Sequence, residues 1–150
     1  MGRPDFTGIW RLDAAASTFS GPSPTAMLMK IDHHEPDLTQ QTIATDPTGA
    51  ERRNIFSFRI DEETISVVGE TTLRCRAYWQ DGGADELVIE TLMSRGDRLL
   101  EFRDRWSLSA DGAHLTMAHR DDDLAGQIVL LVRDETPASS AAFIILAPPP

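Results

Sequence analysis

The stretch Asp5-Phe6-Thr7-Gly8-Ile9-Trp10-Arg11-Leu12-Asp13 decides how the rest of the chain is read. Its alternation puts Phe6, Gly8, Trp10 and Leu12 on one face of a strand. A glycine two residues before a tryptophan lets a neighbouring backbone pass close by, while the indole plugs one end of a closing barrel. Outward from this stretch, turn signals recur at Gly21-Pro22, Glu35-Pro36-Asp37, Asp46-Pro47-Thr48-Gly49, Gly69, Asp81-Gly82-Gly83, Gly96-Asp97, Asp111-Gly112 and Gly126. Between them lie alternating runs rich in β-branched and aromatic residues, the pattern of hairpin-connected antiparallel strands. The strands are placed near 5–13, 25–34, 37–46, 51–60, 63–68, 72–80, 85–94, 97–108, 113–120 and 126–135. Only 12–19 has a helical look, with room for no more than a turn or two. Short hairpins throughout favour an all-β, antiparallel up-and-down β-barrel of about eight to ten strands over a sandwich, and about eight strands already leave room for one small ligand.

At 150 residues the chain fits one domain. A domain of this size buries roughly 68–70% of its unfolded surface. The barrel is assigned to 1–136, and the apolar, proline-ending tail 137–150 to the same domain or to a cover over a barrel mouth. Lys and Arg total 14 against 24 Asp and Glu, a net charge of −10, which excludes nucleic acid as a partner and disfavours anionic membranes. An apolar fraction of 41% and a charged fraction of 25% exclude a disordered chain. Cys75 is the sole cysteine, so the fold holds by packing, with no intrachain disulfide and no multi-cysteine zinc site. The opening MGRPDFTG enters the first strand without a basic and then apolar leader, which reads as cytoplasmic; if an export signal was removed, the protein is periplasmic or secreted. The apolar run of AAFIILAPPP is too short to span ~30 Å of hydrocarbon, so no membrane span is expected. Phe143, Ile144, Ile145 and Leu146 are expected to add a strand, fold over a mouth, or pair with a second subunit in a homodimer.

Period-2 alternation sorts the side chains. Met27, Met29, Ile31 and His33 share a face of the second strand; Leu87, Ile89, Thr91 and Met93 share one of the seventh. In the eighth strand Leu100, Phe102, Asp104, Trp106 and Leu108 align, and in the ninth Leu115, Met117 and His119. The sixth strand offers Leu73, Cys75, Ala77 and Trp79 as one set and Arg74, Arg76 and Tyr78 as the other, and the second set is placed outward. Ligand contacts are therefore expected from Met27, Met29, Ile31, Cys75, Trp79, Ile89, Met93, Phe102, Trp106 and Met117. Methionine moulds around irregular apolar shapes, and Cys75 has no base beside it in sequence to make it a nucleophile.

His33, His119 and Asp104 are the candidates for acid–base chemistry. An imidazole in an apolar lumen serves as acid, base or hydrogen-bond donor; one at a barrel rim is simply satisfied by water or backbone. Asp104, between Phe102 and Trp106, has to pair, orient a histidine, stay protonated, or bond to Arg103, Arg105 or a turn. His33-His34-Glu35 invites a metal, but adjacent strand residues point to opposite faces, and no metal site or cofactor is expected. Asp121-Asp122-Asp123 lacks the spacing of a calcium loop and reads as surface charge.

Gly8-x-Trp10 at the start and Arg133 on the last strand resemble the calycin superfamily of lipocalins and fatty-acid-binding proteins. TGIWRLDAAASTF, the Pro-rich turn after it and MLMKIDHHEPDL are similar to a group of bacterial lipocalin-like proteins, over most of the chain to Glu135. In those barrels a late basic residue packs across the tryptophan and closes the barrel end, so the resemblance implies structural roles for Gly8, Trp10 and Arg133. Turned inward, Arg74, Arg76 and Tyr78 would repeat the chemistry with which fatty-acid-binding barrels grip a carboxylate. Calycins include carriers, inhibitors and enzymes. Two functions follow: binding of a small, largely apolar molecule in the cavity, or an enzyme promoting isomerisation, cyclisation or addition on an apolar substrate enclosed there. A third reading, a scaffold that binds protein through its loops, finds no exposed apolar patch in the sequence.

Overall fold

The computed structural model of the chain describes residues 3–19, 23–80, 85–121 and 126–144. Ten strands follow the turn signals: β1 (Gly8–Leu12), β2 (Ala26–His34), β3 (Asp37–Thr45), β4 (Glu51–Arg59), β5 (Glu63–Val68), β6 (Thr71–Trp79), β7 (Leu87–Arg95), β8 (Arg98–Leu108), β9 (His114–Asp121) and β10 (Gly126–Arg133). β1 starts later than the alternation suggests, because the Phe6 and Thr7 amides donate to His33 Nδ1 and Asp5 Oδ1 rather than to a neighbouring strand. The stretch with a helical look makes one turn, Ser17 N to Ala14 O, and then pairs Thr18 with Ile128, extending the sheet beside β10.

The strands hydrogen-bond in the order β4-β3-β2-β1-β10-β9-β8-β7-β6-β5. Every ladder is antiparallel, and all but one join sequence neighbours; the exception pairs β1 with β10 and turns the meander into a nearly closed barrel. Among the described residues no ladder joins β4 to β5, and an isolated bridge ties Ile60, just after β4, to Ala77 of β6.

One end of the barrel is filled by aromatic rings. Trp10 is fully buried and donates from Nε1 to Phe6 O at 3.1 Å. Phe6 stacks on Trp79 and on His33 and meets Trp106 edge-on, at centroid distances of 6.0, 5.7 and 5.7 Å. Arg133 lies 4.3 Å from the Trp10 ring centroid, donates from Nε and Nη2 to Gly112 O at 3.1 Å each, and from Nη1 to Thr7 O at 3.0 Å. A side chain at position 8 would collide with Arg133 Nη1, and Gly8 also has φ near 151°, so only glycine lets the guanidinium reach the indole.

After Arg133 the chain leaves the sheet and forms α1 (Pro137–Ile144). Thr136 caps it, accepting from Ser139 N, with Pro137 at the first helical position. Asp134 accepts from Thr136 N, Thr136 Oγ1 and Ser139 Oγ. The described part of the tail is thus a helix on the outer wall: Arg53 of β4 donates to Ala142 O at 3.4 Å, Phe143 is buried, and Ile43, outward by register, is buried too. Ile145, Leu146 and the final prolines lie outside the described residues.

Gly8→Ala and Arg133→Leu should each destabilise the fold by about 1–3 kcal/mol, lowering Tm by several degrees. A Gly8→Ala protein melting at the wild-type temperature would mean that Arg133 leaves the ring at no cost. The bonds to Asp134, chiefly from the Thr136 hydroxyl, hold its carboxyl below the ordinary 3.8. Its support of α1 is therefore complete above that value and lost as pH falls through the lower folded value. Amide exchange at Ser139 and Ser140 should speed up, beyond the intrinsic pH effect, below about pH 3.8, and Asp134→Asn should do the same at pH 7.

Candidate functional site

Away from the aromatic plug the inward side chains stop meeting and leave a cavity of about 400 Å³. Phe56, Phe58, Leu73, Ile89, Met93 and Phe102 supply most of its apolar wall, with Cys75, Trp106 and Met117 completing it. Four polar side chains interrupt that wall: Gln40, Thr91, Asp104 and His119. On the edge strand β4, Phe56 lines the cavity and is still 41% exposed. Ile55 of β4 and Ile65 and Val67 of β5 are exposed as well.

Asp104 and His119 are opposite one another in the β8–β9 ladder, and the register brings Asp104 Oδ1 to 2.7 Å from His119 Nδ1. The Phe102 ring stacks on the imidazole at 5.5 Å, so the pair sits against an aromatic face with each side chain about a quarter exposed. A carboxylate at one ring nitrogen fixes the orientation of the imidazole, the arrangement of an oriented general base or of a polar ligand anchor. Cys75 and Thr91 are likewise opposite one another in the β6–β7 ladder, with Sγ 3.6 Å from Oγ1. Burial first, and the Asp104 charge after it, push the Cys75 thiol up from its ordinary value, against the opposing Thr91 bond.

Of the residues singled out in the sequence, Cys75, Ile89, Met93, Phe102, Trp106, Met117, Asp104 and His119 meet around the cavity. Met29, Ile31 and Trp79 lie in the buried core, and Met27 packs against it. His33 is held in the plug: Nδ1 accepts from Phe6 N at 3.3 Å and Nε2 donates to Glu35 Oε1 at 2.9 Å, which places its proton on Nε2. His34 is exposed on the opposite face of β2. Arg74 and Arg76 are exposed on the outside of β6, where with Glu90 and Glu101 they wall a charged outer groove of about 440 Å³. Sequence reasoning passed over Gln40, Phe56 and Phe58. The Phe56-Ser57-Phe58 alternation marks the inner face of β4; Gln40 carries no such signal, because a polar residue is placed inside only by its register with Phe56.

No family model matches the chain, and no curated protein matches it in sequence. Solved structures do match. A secretory abundant heat soluble protein from Ramazzottius varieornatus superposes with a TM-score of 0.64 at 13% identity, covering 89% of this chain and 98% of that one. A mutant of the fluorescent protein UnaG gives 0.59 at 15% identity, covering 87% and 97%. A fatty acid binding protein from Schistosoma mansoni, in complex with arachidonic acid, gives 0.57 at 11% identity, covering 87% and 96%. The chain has the calycin-type barrel fold of the fatty-acid-binding proteins.

With its thiol raised, Cys75 should react with iodoacetamide at pH 7.5 roughly tenfold more slowly than free cysteine. A rate equal to that of the free amino acid would contradict the burial and negative field at Sγ.

Proposed function

We propose that this barrel binds a small, largely apolar molecule in the cavity between β4 and β8. The observation that carries this reading is an apolar pocket of about 400 Å³ lined in part by the edge strand β4, with four polar side chains in its wall. Pockets of this size and make-up enclose most of a ligand's surface and orient it through one or two hydrogen bonds. The Schistosoma mansoni barrel, which shares the fold, holds arachidonic acid, a small amphiphile with a long apolar body. On the membrane side, no described helix is long and apolar enough to cross a bilayer.

The Asp104–His119 pair favours a second reading, an enzyme acting on an enclosed apolar substrate, with His119 moving a proton and Asp104 orienting it. His33 has no part in either reading as a reacting group, since both of its ring nitrogens serve the plug.

Nile red, a neutral polarity-sensitive dye, should bind saturably at one site, and Leu73→Trp should weaken it at least about tenfold by filling the cavity without lowering Tm. Undiminished binding in Leu73→Trp would put the dye elsewhere and remove the proposal. His119→Ala separates the two readings for any passenger extracted from the protein: a carrier keeps its affinity within a few-fold, whereas an enzyme keeps binding and loses turnover by about 10²–10⁴-fold.

A further inference from the structure

We propose that the cavity selects neutral amphiphiles bearing a hydroxyl group over carboxylates of the same chain length, and that the Asp104 carboxylate enforces the choice. The inference rests on the binding reading above and names the ligand class for that site.

Its basis is the distribution of charge about the barrel wall. Asp104, His119 and Cys75 are the ionisable residues among those lining the cavity, and among the described residues no lysine or arginine lines it. The arginines of the surrounding strands stand at alternate positions: Arg74 and Arg76 flank Cys75, Arg103 and Arg105 flank Asp104, and all four side chains are exposed outside the barrel. Arg52, Arg95 and Arg98 share the inward parity of β4, β7 and β8, but each is exposed at a strand end. Among the described residues the one side chain lining the cavity that can become a cation is therefore His119, and Asp104 sits 2.7 Å from its Nδ1. With the imidazole neutral the pair carries −1, and with it protonated, zero. A ligand carboxylate would raise that to −2 or −1 against a wall of phenylalanine, leucine and methionine, where an unpaired charge is poorly solvated.

A hydroxyl head reverses the balance. It donates to a carboxylate, which only accepts, and it accepts in turn from an amide or hydroxyl such as Gln40 or Thr91 in the same wall. Cys75 senses the same field, since Asp104 adds to the burial that holds its thiol up. Arachidonic acid in the Schistosoma mansoni barrel carries the opposite kind of head, so the shared fold does not carry the ligand class with it.

The test compares 1-decanol with decanoate at pH 8, by displacement of Nile red and by calorimetry, in the wild-type protein and in Asp104→Asn. Wild type should bind decanol at least about tenfold more tightly. Since any apolar pocket favours the alcohol to some extent, the variant is decisive: Asp104→Asn should improve decanoate binding at least about tenfold while decanol, which loses its charged acceptor, does not improve. If the Asn variant does not fold, Asp104→Thr, neutral and suited to a strand, takes its place with the same expected ratio. Decanoate binding as tightly as decanol in wild type, or a variant that shifts both ligands alike or neither, overturns the inference and leaves the binding reading standing. A wild-type protein that takes up neither ligand nor dye overturns the binding reading, and this inference with it.

Discussion

The barrel depends on an arginine lying across a tryptophan. Arg133 belongs to the last strand and Trp10 to the first, and the β1–β10 ladder pairs them directly. Their contact at 4.3 Å therefore joins the two ends of the sheet. A half-buried guanidinium still has to place its donors, and here three go to the carbonyls of Gly112 and Thr7, so the stack also ties down the loops that close this end. Gly8 is part of the same constraint, because the space the guanidinium occupies is the space a Cβ would take.

Closing the meander at β1–β10 leaves β4 and β5 as the pair without a ladder. Ten strands also enclose more room than ordinary side chains fill. At the plugged end Trp10, Phe6, Trp79 and Trp106 are large enough to meet. Further along, Leu73, Cys75, Thr91 and Met93 are not, and the cavity is what remains. The cavity thereby lies at one end of the barrel, and Phe56 of the edge strand β4 lines it while staying partly exposed.

Polarity inside is confined and paired. Among the described residues no buried side-chain nitrogen or oxygen lacks a hydrogen-bond partner. His33 secures the N-terminal segment against the plug, while Asp104 and His119 form a hydrogen-bonded polar pair in the cavity wall, beside Gln40 and Thr91. The two histidines look alike in sequence, each ending an inward apolar row, yet one is structural and the other faces the cavity. The difference lies in which segment reaches each ring: the Phe6 amide meets His33, and the Asp104 carboxylate meets His119.

The sequence by itself determined the run of strands and their turns, because turn chemistry and the two-residue period act over a few residues, whereas the face of β6 that carries Arg74 and Arg76 was settled as the outer one only by register with β7. It also carried the closing triplet of Gly8, Trp10 and Arg133 through its resemblance to calycins. The tertiary structure alone decided what depends on register between strands and on the path of the chain ends. Asp104 meets His119 across fifteen positions only because β8 and β9 pair in one register, and Gln40 is inside only because it stands opposite Phe56. The tail became a helix on the outer wall because Thr136 and Pro137 start one there and the face carrying Ile43 was open to cover. Which end of the lumen stays hollow follows from summed side-chain volumes across strands far apart in the chain, a quantity no local pattern contains.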